Sequence, residues 1–163
     1  EFGFTDRYFD ELAKCNLMIS ELLKRLPANV ALVVTSDHGQ VEVGDRMMEL
    51  TDDLNNLLSK QSGEARFRWL HALREREQDL FQTAKETFEE VAWVMSKKEI
   101  ISAGWLGPQV HKTVEDRLGD VALIAREEIG FNDPAEKMPF KLITRHGSLT
   151  KEEMHVPLLC AVT

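Results

Sequence analysis

The stretch "ALVVTSDHGQ", residues 31–40, joins an unbroken apolar run directly to an acid and an imidazole. A run this continuous, with β-branched residues in it, is typical of a central parallel strand that is covered on both faces. In open α/β sheets, ligands gather outside the carboxyl ends of the strands. The sequence therefore predicts a buried strand that begins at Ala31 and leads to a binding site at Asp37 and His38.

A helical pattern precedes this strand. From Thr5 onward, apolar residues recur at steps of mostly three and four, which is typical of an amphipathic helix, and Pro27 closes it. A helix, a short turn and a buried strand, in that order, indicate a layered α/β fold. The polar residues from Asp45 to Glu64 show only a weak pattern and predict no regular element.

The middle of the chain has a different pattern. Strand-like stretches lie at residues 66–73, 92–96 and 119–127, and a helical stripe of apolar residues lies between the first two. This alternation predicts a small α+β insertion over residues 64–130, beside the main sheet. Residues 1–163 are otherwise expected to form a single domain part without internal repeats.

Short local signals place two further helices. Ser96 and Glu99 have the spacing of a capping box, and the helix that they begin is expected to stop near Gly104. Thr150 and Glu153 have the same spacing near the end of the chain. The chain then ends in another apolar strand.

Composition limits the classes of function. The chain has 163 residues, of which 43% are hydrophobic and 29% are charged, and this composition is typical of one ordinary soluble domain. The formal net charge of −8 argues against broad binding to nucleic acids or anionic membranes, since both depend on clustered Lys and Arg. No apolar run approaches the roughly 20 residues that cross a bilayer. Cys15 and Cys160 offer at most one disulfide, so a reducing, cytoplasmic location is expected.

Asp37 and His38 are candidate metal ligands. A carboxylate oxygen and a neutral imidazole nitrogen suit Zn²⁺, Mn²⁺ or a similar divalent cation. Gly39 is expected to let the backbone turn sharply without a side chain that would block the site. The alternative is that Asp37 caps a turn and His38 is a loop histidine with its hydrogen bonds satisfied.

His146 is a third candidate ligand from a distant part of the chain. It lies in another turn with a glycine beside it, just before the predicted start of the last helix. The alternative is a turn histidine next to a helix N-cap. His71, on a strand pattern with Trp69, is interpreted as a packed histidine rather than a ligand.

Together these motifs resemble a known family. "VVTSDHGQ" (33–40) and "RHGSLTKEEMHVPLL" (145–159) are similar to the C-terminal half of the nucleotide pyrophosphatase/phosphodiesterase branch of the alkaline phosphatase superfamily. The resemblance extends through "AWVMSKKEIISAGWLG" (92–107) and "RLGDVALIAR" (117–126), as in the bacterial members. It implies an α/β fold: the C-terminal portion of an alkaline-phosphatase-like parallel-sheet core with a small α+β insertion.

The resemblance also implies a function. Asp37 and His38 match the pair that binds one ion of a two-metal centre, and His146 matches a ligand of the other ion. The ions would be divalent, Zn²⁺ first and Mn²⁺ as the alternative. They would activate a Thr or Ser nucleophile and stabilise charge on the transferring phosphoryl oxygens. The implied substrate is a small phosphoric ester or a nucleotide, cleaved as a phosphodiester or a nucleotide pyrophosphate.

The resemblance places the nucleophile, and the ligands that accompany it, before Glu1. The chain is therefore expected to be a fragment that needs the N-terminal half of a parent protein and is inactive alone. Ser36 and Ser148 do not stand at the family's nucleophile position and are interpreted as turn hydroxyls.

Other functions stay open. A non-catalytic or degenerate module could keep the fold and bind a partner or a ligand. Phosphomutases and sulfatases of the same superfamily also use an Asp-His-Gly element, and the segment that would distinguish them is the one with the nucleophile.

Overall fold

The computed structural model describes residues 3–137 and 141–163, in which helices and sheets are mixed as predicted. The helices are α1 (Asp6–Arg25), α2 (Asp52–Asn55), α3 (Glu77–Phe88), α4 (Lys97–Ser102), α5 (Lys112–Glu115) and α6 (Lys151–Met154). The strands are β1 (Ala31–Thr35), β2 (Val41–Glu42), β3 (Met47–Met48), β4 (Leu58–Glu64), β5 (Phe67–Ala72), β6 (Ala92–Ser96), β7 (Val121–Ala125), β8 (Gly130–Phe131), β9 (Thr144–Arg145) and β10 (Leu158–Val162).

Strand β1 differs from its prediction. It pairs antiparallel with β10, so that Ala31 lies opposite Val162 and Thr35 opposite Leu158. Its residues alternate between exposed and half-buried, and Val33 is 57% exposed. The prediction of a central parallel strand covered on both faces is therefore wrong for the part of the chain that the structure describes. There β10 is the only strand beside β1, and an apolar run cannot by itself supply the neighbours that bury it.

Helix α1 confirms the helix predicted after Thr5. It has Leu26 as its C-cap, directly before Pro27. None of its residues is buried, and Leu17 and Met18 on it are each 65% exposed. Helix α1 and the β1–β10 ribbon thus form the exposed half of the molecule. No helix in residues 3–137 and 141–163 is both long and apolar enough to cross a membrane.

The buried half is a four-stranded antiparallel sheet in the order β4-β5-β7-β6. Strands β5, β6 and β7 confirm the three strands predicted in the middle of the chain. Every residue of β7 is buried. Leu123 and its neighbours on one face pack in a cluster with Leu80, Ala84 and Phe88 of α3, whereas Ala122 and Ile124 on the other face pack with Ile100 of α4.

The sheet begins earlier than the predicted insertion. Its edge strand, β4, lies almost wholly before residue 64, in the polar stretch for which no element is predicted. The sequence of β4, "LSKQSGE", is polar because it forms an exposed edge, where such residues are common. The domain bounds of 64–130 stay a prediction.

The capping box at the start of α4 is confirmed. The Ser96 hydroxyl accepts a hydrogen bond from the backbone N–H of Glu99, and the Glu99 carboxylate accepts one from the backbone N–H of Ser96 at 2.7 Å. Gly104 follows the helix with a φ of +75°, a conformation that glycine adopts without strain. Cys15 and Cys160 are both free and exposed.

Candidate metal centre

Asp37 and His38 lie directly after β1, as predicted. The backbone N–H of His38 donates to Oδ1 of Asp37 at 3.1 Å, and the Asp37 side chain is 87% exposed. A hydrogen bond from its own backbone N–H, and then the nearby charge of His38, lower the pKa of the Asp37 carboxyl below its usual value. The carboxylate is therefore ionised at neutral pH, as a metal ligand must be.

The His38 ring is oriented by a backbone carbonyl. Its Nδ1 lies 2.7 Å from the carbonyl oxygen of Gly39, which can only accept a hydrogen bond. The proton of a neutral ring is thus assigned to Nδ1, and Nε2 keeps the lone pair. This Nε2 lies 3.8 Å from Oδ2 of Asp37. Two ligands of one zinc ion, with bonds of about 2.0 to 2.2 Å, lie within roughly 4.4 Å of each other, so the pair fits one ion.

His146 lies against His38. His146 follows β9, and the β2–β9 pairing places Arg145 opposite Val41. The loop with His38, which precedes β2, and the loop with His146 therefore meet at the same end of this pair of strands. The two imidazole rings stack, with centroids 3.7 Å apart and planes 11° from parallel. The structure therefore brings together the three side chains that the sequence selects.

Asp37, His38 and His146 line one cavity of about 340 Å³. Within the described ranges, however, no group of three His, Cys, Asp or Glu side chains is arranged to hold a metal ion. Asp37 and His38 form a pair and His146 lies beside it, so the three side chains do not surround one ion site. Their role as ligands stays a prediction. The other residues that line the cavity are Gly147, Ser148, Leu149, Glu153, Met154 and Val156.

Gly39 is needed for a different reason from the one predicted. Its backbone N–H donates to the carbonyl oxygen of Glu153 at 2.7 Å, and a Cβ at this position would lie 1.9 Å from the carbonyl oxygen of Glu152. Its φ is not in the left-handed region. The glycine therefore permits the close approach of α6 rather than a sharp turn.

Glu153 has a different role in this site from the one predicted. Thr150 precedes α6 but makes no side-chain capping bond, so the predicted capping box is wrong. The Glu153 carboxylate instead accepts two hydrogen bonds from Arg66, both 2.8 Å long, and one from the Thr150 hydroxyl at 2.6 Å. A guanidinium that donates two parallel bonds outcompetes a single backbone N–H for a buried carboxylate.

The Arg66–Glu153 pair is buried, with side chains 0% and 2% exposed. Burial raises the pKa of Glu153, but hydrogen bonds from Arg66, Thr150 and the Ser148 backbone together outweigh it, so that the pKa is lowered. One sequence signal points to Arg66. Strand alternation places it on the same side as Leu70, which is fully buried, and opposite Trp69.

The remaining candidates behave as interpreted. The Ser36 hydroxyl donates to the carbonyl oxygen of His38 at 2.8 Å, and the Ser148 hydroxyl donates to that of Ala125, so both are structural hydroxyls. His71 packs in the sheet with its Nε2 2.7 Å from the Ser62 hydroxyl, and burial lowers its pKa. It does not line the candidate cavity.

Solved structures share this fold. Human ectonucleotide pyrophosphatase/phosphodiesterase 5 superposes with a TM-score of 0.67 at 18% identity, over 93% of this chain and 39% of its own. The murine protein, in an inactive form in complex with AMP, gives 0.63 at 19% identity with the same coverages. Phosphonoacetate hydrolase from Sinorhizobium meliloti 1021, in complex with phosphonoformate, gives 0.60 at 19% identity, over 85% of this chain and 37% of its own.

These likenesses establish the fold, and they confirm the α/β class. The chain spans only 39% of the length of the human protein. No protein of curated function matches it in sequence. A family model is more specific: that of type I phosphodiesterase/nucleotide pyrophosphatase matches residues 1–149. The chain therefore belongs to the type I phosphodiesterase/nucleotide pyrophosphatase family, whose members are hydrolases of phosphoric esters.

Proposed function

We propose that the protein hydrolyses a phosphodiester or a nucleotide pyrophosphate with two divalent ions, and that this chain supplies part of the site. Asp37 and His38 hold one ion, and His146 holds the other. The observation that carries the proposal is the stacking of His146 on His38, with centroids 3.7 Å apart, beside an ionised carboxylate. Two segments far apart in the sequence meet there with the donor types that a divalent cation takes.

The charge of the cavity supports metal ions. Its described lining includes the exposed carboxylate of Asp37 and no Lys or Arg, and the carboxylate of Glu153 is already paired with Arg66. A phosphoric ester is anionic, so this lining alone would repel it. Divalent cations would reverse the local charge and, when bound, would stabilise the oxygens of the transferring phosphoryl group.

The residues of this chain have separate tasks in the proposal. Asp37 supplies the negative charge that balances a cation, and its side chain is exposed. The carbonyl of Gly39 keeps the His38 Nε2 lone pair available. Zn²⁺ fits this mixed oxygen and nitrogen donor set, and Mn²⁺ is the alternative.

The nucleophile is proposed to come from another segment of the protein. Ser36 and Ser148, the serines near the cavity, both donate their hydroxyl protons to backbone carbonyls. The part of the relatives that this chain does not span is long enough to supply a Thr or Ser and further ligands. An N-terminal portion of the parent protein is therefore the proposed partner of this chain.

The test uses the full-length parent protein and a chromogenic phosphodiester. Asp37→Asn keeps the shape of the side chain but removes the charge that positions the cation. Hydrolysis should fall by roughly two to four orders of magnitude, since metal stabilisation of the transition state contributes several kcal/mol. The melting temperature should hardly change, because an exposed side chain opens no cavity.

His71→Ala is the matched control. It truncates a packed histidine of the sheet, so it should lower the melting temperature and leave the metal content unchanged. Metal stoichiometry, melting temperature and hydrolysis are measured for both variants and the parent protein. Unchanged hydrolysis in Asp37→Asn, with metal still bound, would contradict the proposal and favour a binding module. The chain alone should bind Zn²⁺ weakly and show no turnover.

A further inference from the structure

The buried Arg66–Glu153 pair lies directly behind the two histidine loops. We propose that Arg66 and Glu153 are positioning residues that hold His38 and His146 in register for the metal ions. This inference rests on the proposed function for its purpose, but the geometry that it claims can be measured without metal.

Glu153 holds the His146 loop through its side chain. Its Oε1 accepts the backbone N–H of Ser148 at 2.9 Å, two residues after His146. Gly147, between them, has a φ of +117° and packs so closely that a Cβ there would lie 2.8 Å from Cβ of Glu64 in β4. The Ser148 hydroxyl bonds to the last residue of β7. The loop is therefore attached to the sheet at Gly147 and at Ser148.

Glu153 also holds the His38 loop, through its main chain. Its carbonyl oxygen accepts the backbone N–H of Gly39 at 2.7 Å. The absence of a side chain at Gly39 lets α6 come this close, since the carbonyl of Glu152 occupies the place of a Cβ. Gly39, directly after His38, and Ser148, two residues after His146, thus bond to the same residue, so a shift of Glu153 would move both loops.

Arg66 attaches this residue to the rigid half of the molecule. Besides its two bonds to Glu153, its Nη1 donates to the carbonyl oxygens of Glu127 at 2.8 Å and Ile129 at 2.6 Å. Buried ion pairs often add little net stability, because desolvation offsets the attraction. The planar fork of Arg instead fixes direction, which a Lys cannot reproduce. A geometric role therefore explains the pair better than a purely stabilising one.

The test compares Glu153→Gln and Arg66→Lys with Arg68→Lys as the matched control. In Glu153→Gln an amide N–H₂ faces the guanidinium in place of an acceptor, and Arg66→Lys loses the fork. Arg68 is equally buried at 0% exposure, but it bonds to Glu136 and to the carbonyls of Gly63 and Phe131, none of which belongs to either loop. All variants are made in the full-length protein.

The first readout is the imidazole NMR spectrum without metal, in which stacked rings shift each other's proton resonances upfield. We expect both test variants to lose the mutual shift of His38 and His146, and Arg68→Lys to keep it. The second readout is Zn²⁺ titration. Loss of residues that orient ligands costs about 10- to 100-fold in metal affinity, so the dissociation constant should rise by that factor in the test variants only.

Retained ring shifts and unchanged Zn²⁺ affinity in both test variants, with only a lower melting temperature, would overturn the inference. Loss of the shifts in Arg68→Lys as well would also overturn it, because general loosening would then explain the effect. If the parent protein binds no Zn²⁺ but the test variants still lose the shifts, the positioning role stands and the proposed function fails. If Glu153→Gln does not fold, Thr150→Val replaces it in both measurements, since this variant removes only one hydrogen bond to Glu153. The same losses are then expected, and their absence would overturn the inference.

Discussion

Two strands with nearly the same character have opposite environments. "ALVVT" forms β1, in which Val33 is 57% exposed, whereas "VALIA" forms β7, in which all five residues are fully buried. Strand β7 lies between β5 and β6 and has α3 on one face and α4 on the other. Strand β1 has only β10 beside it in the described part of the chain.

The two strands show that the residues which favour a strand do not decide whether the strand is buried. Apolar, β-branched runs favour extended backbone wherever they occur. Burial depends on the layers that other segments supply, and these differ between the two halves. The candidate ligands follow the exposed strand, while Arg66, which we propose to support them, belongs to the buried half. A site on a less covered ribbon can stay precise if a rigid sheet holds it.

The largest expected effect compares a leucine of β7 with a leucine of β10, the strand that pairs with β1. Leu123→Ala in β7 should lower the free energy of unfolding by about 2 to 5 kcal/mol, because it opens a cavity in a packed core. Leu158→Ala in β10, where the side chain is 71% exposed, should change it by less than about 0.5 kcal/mol. Urea denaturation of the chain measures both. A cost for Leu158→Ala equal to that for Leu123→Ala would show that the ribbon is buried in solution.

The next prediction is that the Arg66–Glu153 pair, which links the two halves, makes the free energy of unfolding depend on pH. The pKa of Glu153 is lowered from 4.5 in the folded chain, so its pairing adds stability above the unfolded pKa. That contribution should be lost as the pH falls below about 4.5 and through the folded pKa, because the unfolded state then binds the proton more readily. Unfolding free energies between pH 3 and 7 should fall less steeply toward acid in Glu153→Gln than in the parent chain. Identical slopes would show that the carboxylate is not paired.

The smallest effect compares two helix starts. Ser96→Ala removes the capping box of α4 in the buried half and should cost about 1 kcal/mol. Thr5→Ala should cost almost nothing, because Thr5, the N-cap of α1, makes no side-chain capping bond. Thermal melts of the two variants measure the difference. Equal losses would mean that Thr5 forms a cap in solution.

Much of the candidate site could be predicted because its signals are local. Asp37 and His38 follow a strand, and His146 lies beside a glycine, so residue type and position alone selected them. The Arg66–Glu153 pair could not be predicted in the same way. Glu153 has the spacing of a capping box with Thr150, and only the approach of Arg66 diverts its carboxylate.

By itself the sequence determined helices α1, α3, α4 and α6, strands β1, β5, β6, β7 and β10, the family and the three side chains that meet in the cavity, since these depend on periodicity and short motifs. Tertiary structure alone decided that β1 pairs antiparallel with β10, that Gly39 makes room for the Glu152 carbonyl, and that Arg66 pairs with Glu153. Each of these outcomes depends on which distant segment lies alongside. Pairing, close approach and burial depend on two segments together, and the pattern of one segment contains no information about the other.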